Sequence, residues 1–168
     1  MVLDDGLRDD ELRVLLAHDG DAFNRWDAGQ RLALRCMLQA VRSGDAPLLD
    51  DELAAALRAV LRHPTLDPAL KDLVLTLPSE SYVAEQLDEV DPQRIHAVRQ
   101  SLLLQLAAAL SADWAWAFDT HQTPGGYDPG PRQAGPRALA GRALAMLCLQ
   151  AQRTGDAVWP GRAYQRVK

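Results

Sequence analysis

Apolar residues recur at intervals of three and four along most of the chain, a pattern that is typical of amphipathic helices. The first predicted helix runs from about Asp9 to Ala17. Asp21 is the expected N-cap of a second, long helix that continues to about Arg42. A third helix is predicted from Asp50 to His63, because its leucines and valine form one apolar stripe.

Proline marks the start of two further helices. The pairs Asp67-Pro68 and Asp91-Pro92 each combine an N-cap residue with a first-turn proline. The first pair opens a fourth helix to about Leu77, and Ser79 is the predicted cap of a fifth helix to about Asp88. The second pair opens the longest helix, to about Phe118. That helix is apolar on two sides, which predicts that it lies between neighbouring helices.

Glycine and proline interrupt the last quarter of the chain. Residues 120–136 contain four Gly and four Pro and are predicted to form a loop. A further helix is predicted from about Arg137 to Arg153, and the tail from Asp156 begins another that Pro160-Gly161 interrupts. Residues 1–168 are thus predicted to be a single all-α domain of about seven helices in antiparallel pairs, either an α-solenoid-like layer or a helical bundle.

The charge balance, the apolar runs and the N-terminus argue against a nucleic-acid-binding, membrane-spanning or secreted protein. The chain has 18 Lys and Arg against 23 Asp and Glu, and a net charge of −5 does not favour nucleic-acid binding. No apolar run approaches the roughly 20 residues that span a bilayer. The N-terminal five residues carry no basic group that would begin a secretory signal. We therefore expect a cytoplasmic protein that binds neither nucleic acid nor a membrane. Cys36 and Cys148 are expected to be buried, reduced thiols.

The four histidines do not form a recognisable metal site. None stands in an HExxH pattern or pairs with another histidine or cysteine at ligand spacing. His18 and His63 are predicted to have structural roles at helix ends. One alternative site combines an imidazole, a carboxylate and aromatic walls, and its residues are Asp119, His121, Trp114 and Trp116. The competing interpretation makes the tryptophans anchors of a core or an interface.

One segment is more specific than the rest. The sequence Asp21-Ala-Phe23-Asn-Arg25-Trp26-Asp-Ala28-Gly-Gln30 resembles the Asp-x-Phe-x-Arg-Trp-(Asp/Glu)-Ala-x-Gln signature of bacterial aminopeptidase N, the alanyl aminopeptidases of the HExxH zinc-metallopeptidase class. Other stretches are similar to that family in the same order. They are residues 57–61, 67–70 and 75–79, the Asp91-Pro92 start with Ile95 and Arg99, and the helix that follows Arg137.

The resemblance implies a truncated first part of the family's C-terminal helical domain, a stack of helix pairs of the ARM or HEAT type. In the family this domain is implied to cap the zinc cleft and to limit entry to small peptides. The HExxH helix, its downstream glutamate and the Gly-Ala/Met-Met-Glu-Asn strand are all missing from this sequence. No residue here is therefore assigned a catalytic or zinc-binding role, and the partner is the rest of an aminopeptidase chain.

The signature residues are predicted to be structural. Phe23 and Trp26 are expected to pack the first helical layer, and Arg25 is expected to pair with a carboxylate or with carbonyls at a helix end. A truncated stack also predicts weak self-association. Two alternatives stay open: a stand-alone α-solenoid that binds a protein or peptide, and a small enzyme that uses the Asp119–His121 site.

Overall fold

Nine helices follow one another in residues 6–126 and 128–167, the part of the chain that this computed structural model describes. They are α1 (Asp9–His18), α2 (Ala22–Ser43), α3 (Asp51–Arg62), α4 (Pro68–Val74), α5 (Glu80–Glu85), α6 (Pro92–Ala109), α7 (Ser111–Thr120), α8 (Pro131–Thr154) and α9 (Val158–Val167). These residues contain no strand, so the all-α prediction is confirmed. The predicted number of about seven helices is too low.

Side-chain caps fix where five of the helices begin. In each case a side-chain oxygen accepts a hydrogen bond from a backbone N–H group of the first turn. The caps are Asp21, Asp50, Asp67, Ser79 and Asp91. At the other end, α2 stops at Gly44, whose φ of 78° lies in the left-handed region that favours glycine. The predicted starts of α2 to α6 are confirmed because these signals are local.

The prediction of one long helix from Asp91-Pro92 to about Phe118 is wrong. The chain breaks at Leu110 into α6 and α7, which are bent by 74° relative to each other. Leu110 and Trp114 are both fully buried, and the indole Nε1 of Trp114 donates a hydrogen bond to the carbonyl of Leu106 at 3.3 Å. Neither proline nor glycine marks the break. The bend instead places the apolar side chains of the two helices against different neighbours. Helix α6 packs on α2, α5 and α8, whereas α7 packs on α3 and α8.

The predicted 120–136 loop is too long, because α8 already begins at Pro131 and contains Pro136. Gly135 explains why the helix starts early. A Cβ at this position would lie 3.0 Å from the backbone nitrogen of Ala69 and 3.3 Å from its Cβ, so α8 packs closely on the start of α4. This tertiary contact overrides the low helix propensity of Gly and Pro. Likewise α9 continues through Pro160 and Gly161, contrary to the predicted interruption.

Two groups of buried side chains hold the helices together, and α2 contributes to both. One group lies mainly among α1, α3, α4, α7 and α8 and includes Leu16, Trp114 and Leu139. The other lies among α2, α5 and α6 and includes Met37 and Val83. The prediction that α6 lies between neighbouring helices is confirmed.

Within the described residues, no single helix is both long enough and apolar enough to cross a bilayer. The bent pair α6–α7 has sufficient length and apolar composition only when the two helices are taken together.

Candidate functional site

The signature segment lies where α1, α2 and α4 meet. Asp21 caps α2, and its Oδ1 accepts hydrogen bonds from the backbone nitrogens of Phe23 at 2.8 Å and Asn24 at 3.4 Å. Asp19 in turn accepts a hydrogen bond from the backbone nitrogen of Asp21 at 2.7 Å. These bonds fix the angle at which the chain turns from α1 into α2.

Arg25 ties the end of α1 to the start of α2. Arg25 is buried, with only 6% of the residue exposed. The guanidinium donates through Nε to the carbonyl of Asp19 at 2.5 Å, and through Nη1 to the carbonyls of Leu16 at 3.3 Å and Ala17 at 3.0 Å. The sequence predicted that Arg25 pairs either with a carboxylate or with carbonyls at a helix end, and in the structure its partners are carbonyls at the end of α1. These are the carbonyls that the last turn of a helix leaves without a partner.

Ala28 and Gln30 belong to the same junction, and Gln30 extends it to the segment that follows α4. Ala28 is buried, and at the neighbouring Gly29 a Cβ would lie 3.2 Å from the Cδ1 of Leu16, which shows how closely α1 and α2 approach. The side-chain nitrogen of Gln30 donates to the carbonyl of Thr76 at 2.7 Å. Four signature residues, Asp21, Arg25, Ala28 and Gln30, thus hold helices in place.

The two aromatic residues of the signature behave differently. Phe23 is 64% exposed, so the prediction that it packs the first helical layer is wrong. It lies in the first turn of α2, and its ring centroid is 5.8 Å from that of Trp26. Trp26 is partly buried and packs against the core on one side. Sequence periodicity cannot distinguish a core position from an exposed one so close to a helix end.

A groove of about 590 Å³ opens between α2 and the α4–α5 segment, directly beside Trp26. This volume is within the roughly 300–1,000 Å³ that is typical of binding pockets. Asp27 and Arg31, which also line the groove, form an ion pair with an Oδ2–Nε distance of 3.0 Å. The apolar walls are Trp26, Leu34, Leu73, Leu77, Pro78 and Tyr82. We call this feature the α2–α5 groove.

The alternative site residues do not form one cluster. Trp114 is fully buried in the core, which supports the anchor interpretation. Trp116 and His121 are in edge contact with ring centroids 5.9 Å apart, but the Nδ1 of His121 is bonded to the carbonyl of Ala117 at 2.8 Å. The carboxylate of Asp119 is 68% exposed and lies 3.8 Å from Arg162. The ring of His121 is therefore engaged with its own helix.

A buried acid that the sequence analysis missed lies nearby. Asp113 accepts hydrogen bonds from the Nε of Arg58 and the Nε of Arg62, both at 2.8 Å, and so joins α3 to α7. Burial alone would raise the pKa of Asp113, but the two arginines outweigh it and hold this pKa below its ordinary value. Arg62 also stacks on Trp116 at 4.4 Å. The available signal was the i, i+4 spacing of Arg58 and Arg62.

Lys71 is a second buried charge with a structural role. Its Nζ donates to the carbonyls of Leu61 at 2.9 Å and His63 at 2.7 Å, at the end of α3. Burial lowers the pKa of Lys71. His63 itself accepts hydrogen bonds at Nδ1 from the backbone nitrogens of Thr65 and Leu66, so its ring holds the turn that follows α3.

The thiols and the potential metal ligands are dispersed. Cys36 and Cys148 are free but only partly buried, so the prediction that they are buried is wrong. Their partial burial raises the pKa of both thiols. Among residues 6–126 and 128–167, no three His, Cys, Asp or Glu side chains are grouped so that they could hold a metal ion.

Comparison with known proteins identifies three bacterial relatives named aminopeptidase N. The chain is 41% identical over 106 residues to the aminopeptidase N of Escherichia coli, which is 61% of this chain and 12% of that protein. The aminopeptidase N of Caulobacter vibrioides is 37% identical over 97 residues, 58% of this chain and 11% of that protein. The aminopeptidase N of Haemophilus influenzae is 36% identical over 115 residues, 67% of this chain and 13% of that protein. This chain thus matches only 11–13% of the length of these relatives.

The fold has a close counterpart among solved structures. The crystal structure of Legionella pneumophila aminopeptidase A in complex with aspartic acid aligns with a TM-score of 0.74, covering 91% of this chain and 20% of that chain. Because the sequence identity is 22%, this likeness is evidence for the fold alone.

A family match accounts for the stacked helices. Residues 9–168 match the family described as a domain of unknown function, DUF3458_C, with ARM repeats. The predicted solenoid-like fold and the resemblance to aminopeptidase N are both confirmed. The match covers nearly the whole chain, so this chain belongs to the DUF3458_C family of ARM-repeat domains.

Proposed function

We propose that this domain is the non-catalytic helical part of a zinc-dependent aminopeptidase that removes N-terminal residues from peptides. The observation that carries the proposal is the 36–41% identity to three proteins named aminopeptidase N, each of which is far longer than the matched segment. In this proposal, the zinc ion and the catalytic groups belong to the remainder of the aminopeptidase polypeptide. That polypeptide is proposed to act in the cytoplasm.

Within such an enzyme we assign the domain the role of a cap on the active-site cleft that restricts entry to small peptides. A rigid stack of helices suits this role because its junctions are fixed by buried hydrogen bonds rather than by surface contacts. Arg25 and Lys71 make such bonds at the ends of α1 and α3. A wall that must exclude large substrates has to resist bending, and buried, satisfied polar groups supply rigidity.

The test uses the polypeptide that the gene for this domain encodes. We expect that polypeptide to hydrolyse an alanine-linked chromogenic substrate, to lose the activity with a zinc chelator and to regain it with added zinc. A tripeptide should be cleaved much faster than a folded protein with the same N-terminal residue. Absence of zinc-dependent hydrolysis would remove the enzyme assignment, and equal cleavage of both substrates would remove only the capping role.

A second function, a stand-alone module that binds a protein or peptide, is favoured by the α2–α5 groove. Its volume of about 590 Å³ and its mostly apolar walls are suited to a short peptide segment. A gene that encodes this domain without an HExxH segment would favour this second function over the first.

A further inference from the structure

Three of the large apolar side chains that remain exposed gather at one place on the surface. Leu73 and Tyr82 line the α2–α5 groove, and Phe23 extends it through its contact with Trp26. We call this surface, formed by Phe23, Trp26, Leu73 and Tyr82, the aromatic face. Clustered apolar exposure of this kind marks an interaction surface, whereas scattered exposed residues need no explanation.

The signature segment contains two interleaved sets of residues with different roles. Asp21, Arg25 and Gln30 direct their polar groups to backbone atoms of this same domain, as described above. Phe23 and Trp26 stand between those residues in sequence, but Trp26 lines the groove and the exposed ring of Phe23 contacts Trp26. The inward-facing residues fix the start of α2 and so hold the two aromatic rings in position. Aromatic rings held in this way are the usual anchors of protein interfaces.

The charges at the groove indicate what kind of partner it takes. Asp27 and Arg31 neutralise each other at 3.0 Å, so the groove offers no net charge to a nucleic acid or to an anionic lipid surface. The chain as a whole carries a net charge of −5, which also disfavours polyanions. An apolar protein segment is the occupant that matches walls of Trp, Leu, Pro and Tyr.

We infer that the aromatic face docks an apolar segment of the catalytic part of an aminopeptidase polypeptide, with Phe23 and Trp26 as its anchors. The inference rests on the proposed function. Most of the length of the relatives named aminopeptidase N, 87–89%, lies outside the matched segment, since that segment is 11–13% of each.

Hydroxyl-radical footprinting tests this assignment on two samples: this chain alone and the complete polypeptide that its gene encodes. Phe23 is 64% exposed here, and Leu48, which is 75% exposed on the connection between α2 and α3, is the matched control. We expect the modification rate of Phe23 to fall several-fold in the complete polypeptide, while the rate of Leu48 changes little. Equal rates for Phe23 in the two samples, or equal protection of both residues, would overturn the inference.

Substitution provides an independent readout on the complete polypeptide. Phe23→Ser removes a ring that contacts Trp26 within this chain, so the reactivity of Trp26 toward radicals is compared in this chain alone and in the complete polypeptide. We expect Phe23→Ser to raise that reactivity several-fold more in the complete polypeptide than in the chain alone, whereas Leu48→Ser should leave it unchanged in both. Since Phe23 is exposed in this chain, its replacement is not expected to unfold the domain. If Phe23→Ser raises the reactivity of Trp26 by the same factor in both samples, the aromatic face is not the docking surface.

The remaining outcomes separate the alternatives. Zinc-dependent hydrolysis by the same sample with an unprotected Phe23 would contradict this inference and leave the proposed function standing. No hydrolysis would contradict the proposed function and the inference with it. Protection that appears in this chain alone as its concentration rises would assign the groove to a second copy, and protection by an added apolar peptide only would assign it to a peptide ligand. Either result would overturn docking of the catalytic part.

Discussion

At the residue scale, hydrogen bonds of long cationic side chains to buried or helix-end acceptors join the helices. Arg25 satisfies carbonyls at the end of α1, and Lys71 does the same at the end of α3. Arg58 and Arg62 share the buried carboxylate of Asp113. In all three places a long side chain brings a donor to an acceptor on another helix, so the polar contacts determine how the helices are joined.

Replacing Arg25 with Met tests the first of these junctions. The variant keeps the volume of the side chain but leaves the carbonyls of Leu16, Ala17 and Asp19 without the guanidinium. We expect the free energy of unfolding in urea to fall by about 3 kcal/mol, because hydrogen bonds to a charged group are the stronger kind. Arg42→Met, at an exposed position near the end of the same helix, is the control and should change it by less than about 0.5 kcal/mol. Equal losses in both variants would contradict the assigned role of Arg25.

Asp113 predicts a pH-dependent contribution to stability. Its pKa in the folded domain is below the ordinary 3.8, so the unfolded chain binds the proton more readily. The stabilisation is therefore complete above pH 3.8 and is lost as the pH falls below it toward the lower folded value. We expect Asp113→Asn to reduce the free energy of unfolding by about 1–3 kcal/mol at neutral pH, since both arginines keep some solvent contact.

The measurement for Asp113 is urea unfolding of the wild type and the variant at a series of pH values. The difference between them should shrink as the solution is made acidic. Asp119→Asn, at a carboxylate that is 68% exposed, should show almost no difference at any pH. A difference for Asp113→Asn that is the same in acid as at neutral pH would show that the arginines do not stabilise its charged form.

At the element scale, local signals and tertiary contacts account for different helices. The caps at Asp21, Asp50 and Asp91 could be predicted because the residue type and the next turn are enough to define them. The break at Leu110 could not, because it depends on where α7 packs rather than on any residue nearby. The early start of α8 depends in the same way on Gly135 approaching α4. For the signature, the motif located the segment, but the exposure of Phe23 depends on what covers the first turn of α2.

The packing of α8 on α4 can be tested with two glycines of one helix. A Cβ at Gly141 would meet open space, so Gly141→Ala should raise the free energy of unfolding by about 0.5–1 kcal/mol through helix propensity alone. At Gly135 a Cβ would lie 3.0 Å from the backbone nitrogen of Ala69, so Gly135→Ala should lower the midpoint of urea unfolding instead. Similar gains from both substitutions would mean that α8 does not approach α4 as closely as described.

At the scale of the whole molecule, an ARM-repeat stack leaves the surfaces of its outer helices to other partners. The aromatic face lies at the α2 and α5 side, and α9, which packs on α8, carries the exposed side chain of Val158. These are distinct regions of the described surface, on helices far apart in sequence. We assign the first to a catalytic partner and expect the second to support only weak contacts between copies.

Weak self-association is accordingly predicted for this chain in solution. Val158 is 57% exposed on α9. Sedimentation equilibrium should show an apparent mass that rises with concentration, and Val158→Lys should reduce the rise. Val90→Lys, at a 53% exposed position outside the helices, is the matched control and should leave it unchanged. A constant monomer mass at every concentration would disprove this prediction.

Hydrolysis of an alanine-linked chromogenic substrate, measured side by side for the pure chain and for the complete polypeptide that its gene encodes, tests the central claim most directly. We predict no turnover by the chain, with or without added zinc, and zinc-dependent turnover by the complete polypeptide. Zinc-dependent turnover by the chain on its own, or none by the complete polypeptide, would contradict the claim that this domain is the helical, non-catalytic part of an aminopeptidase.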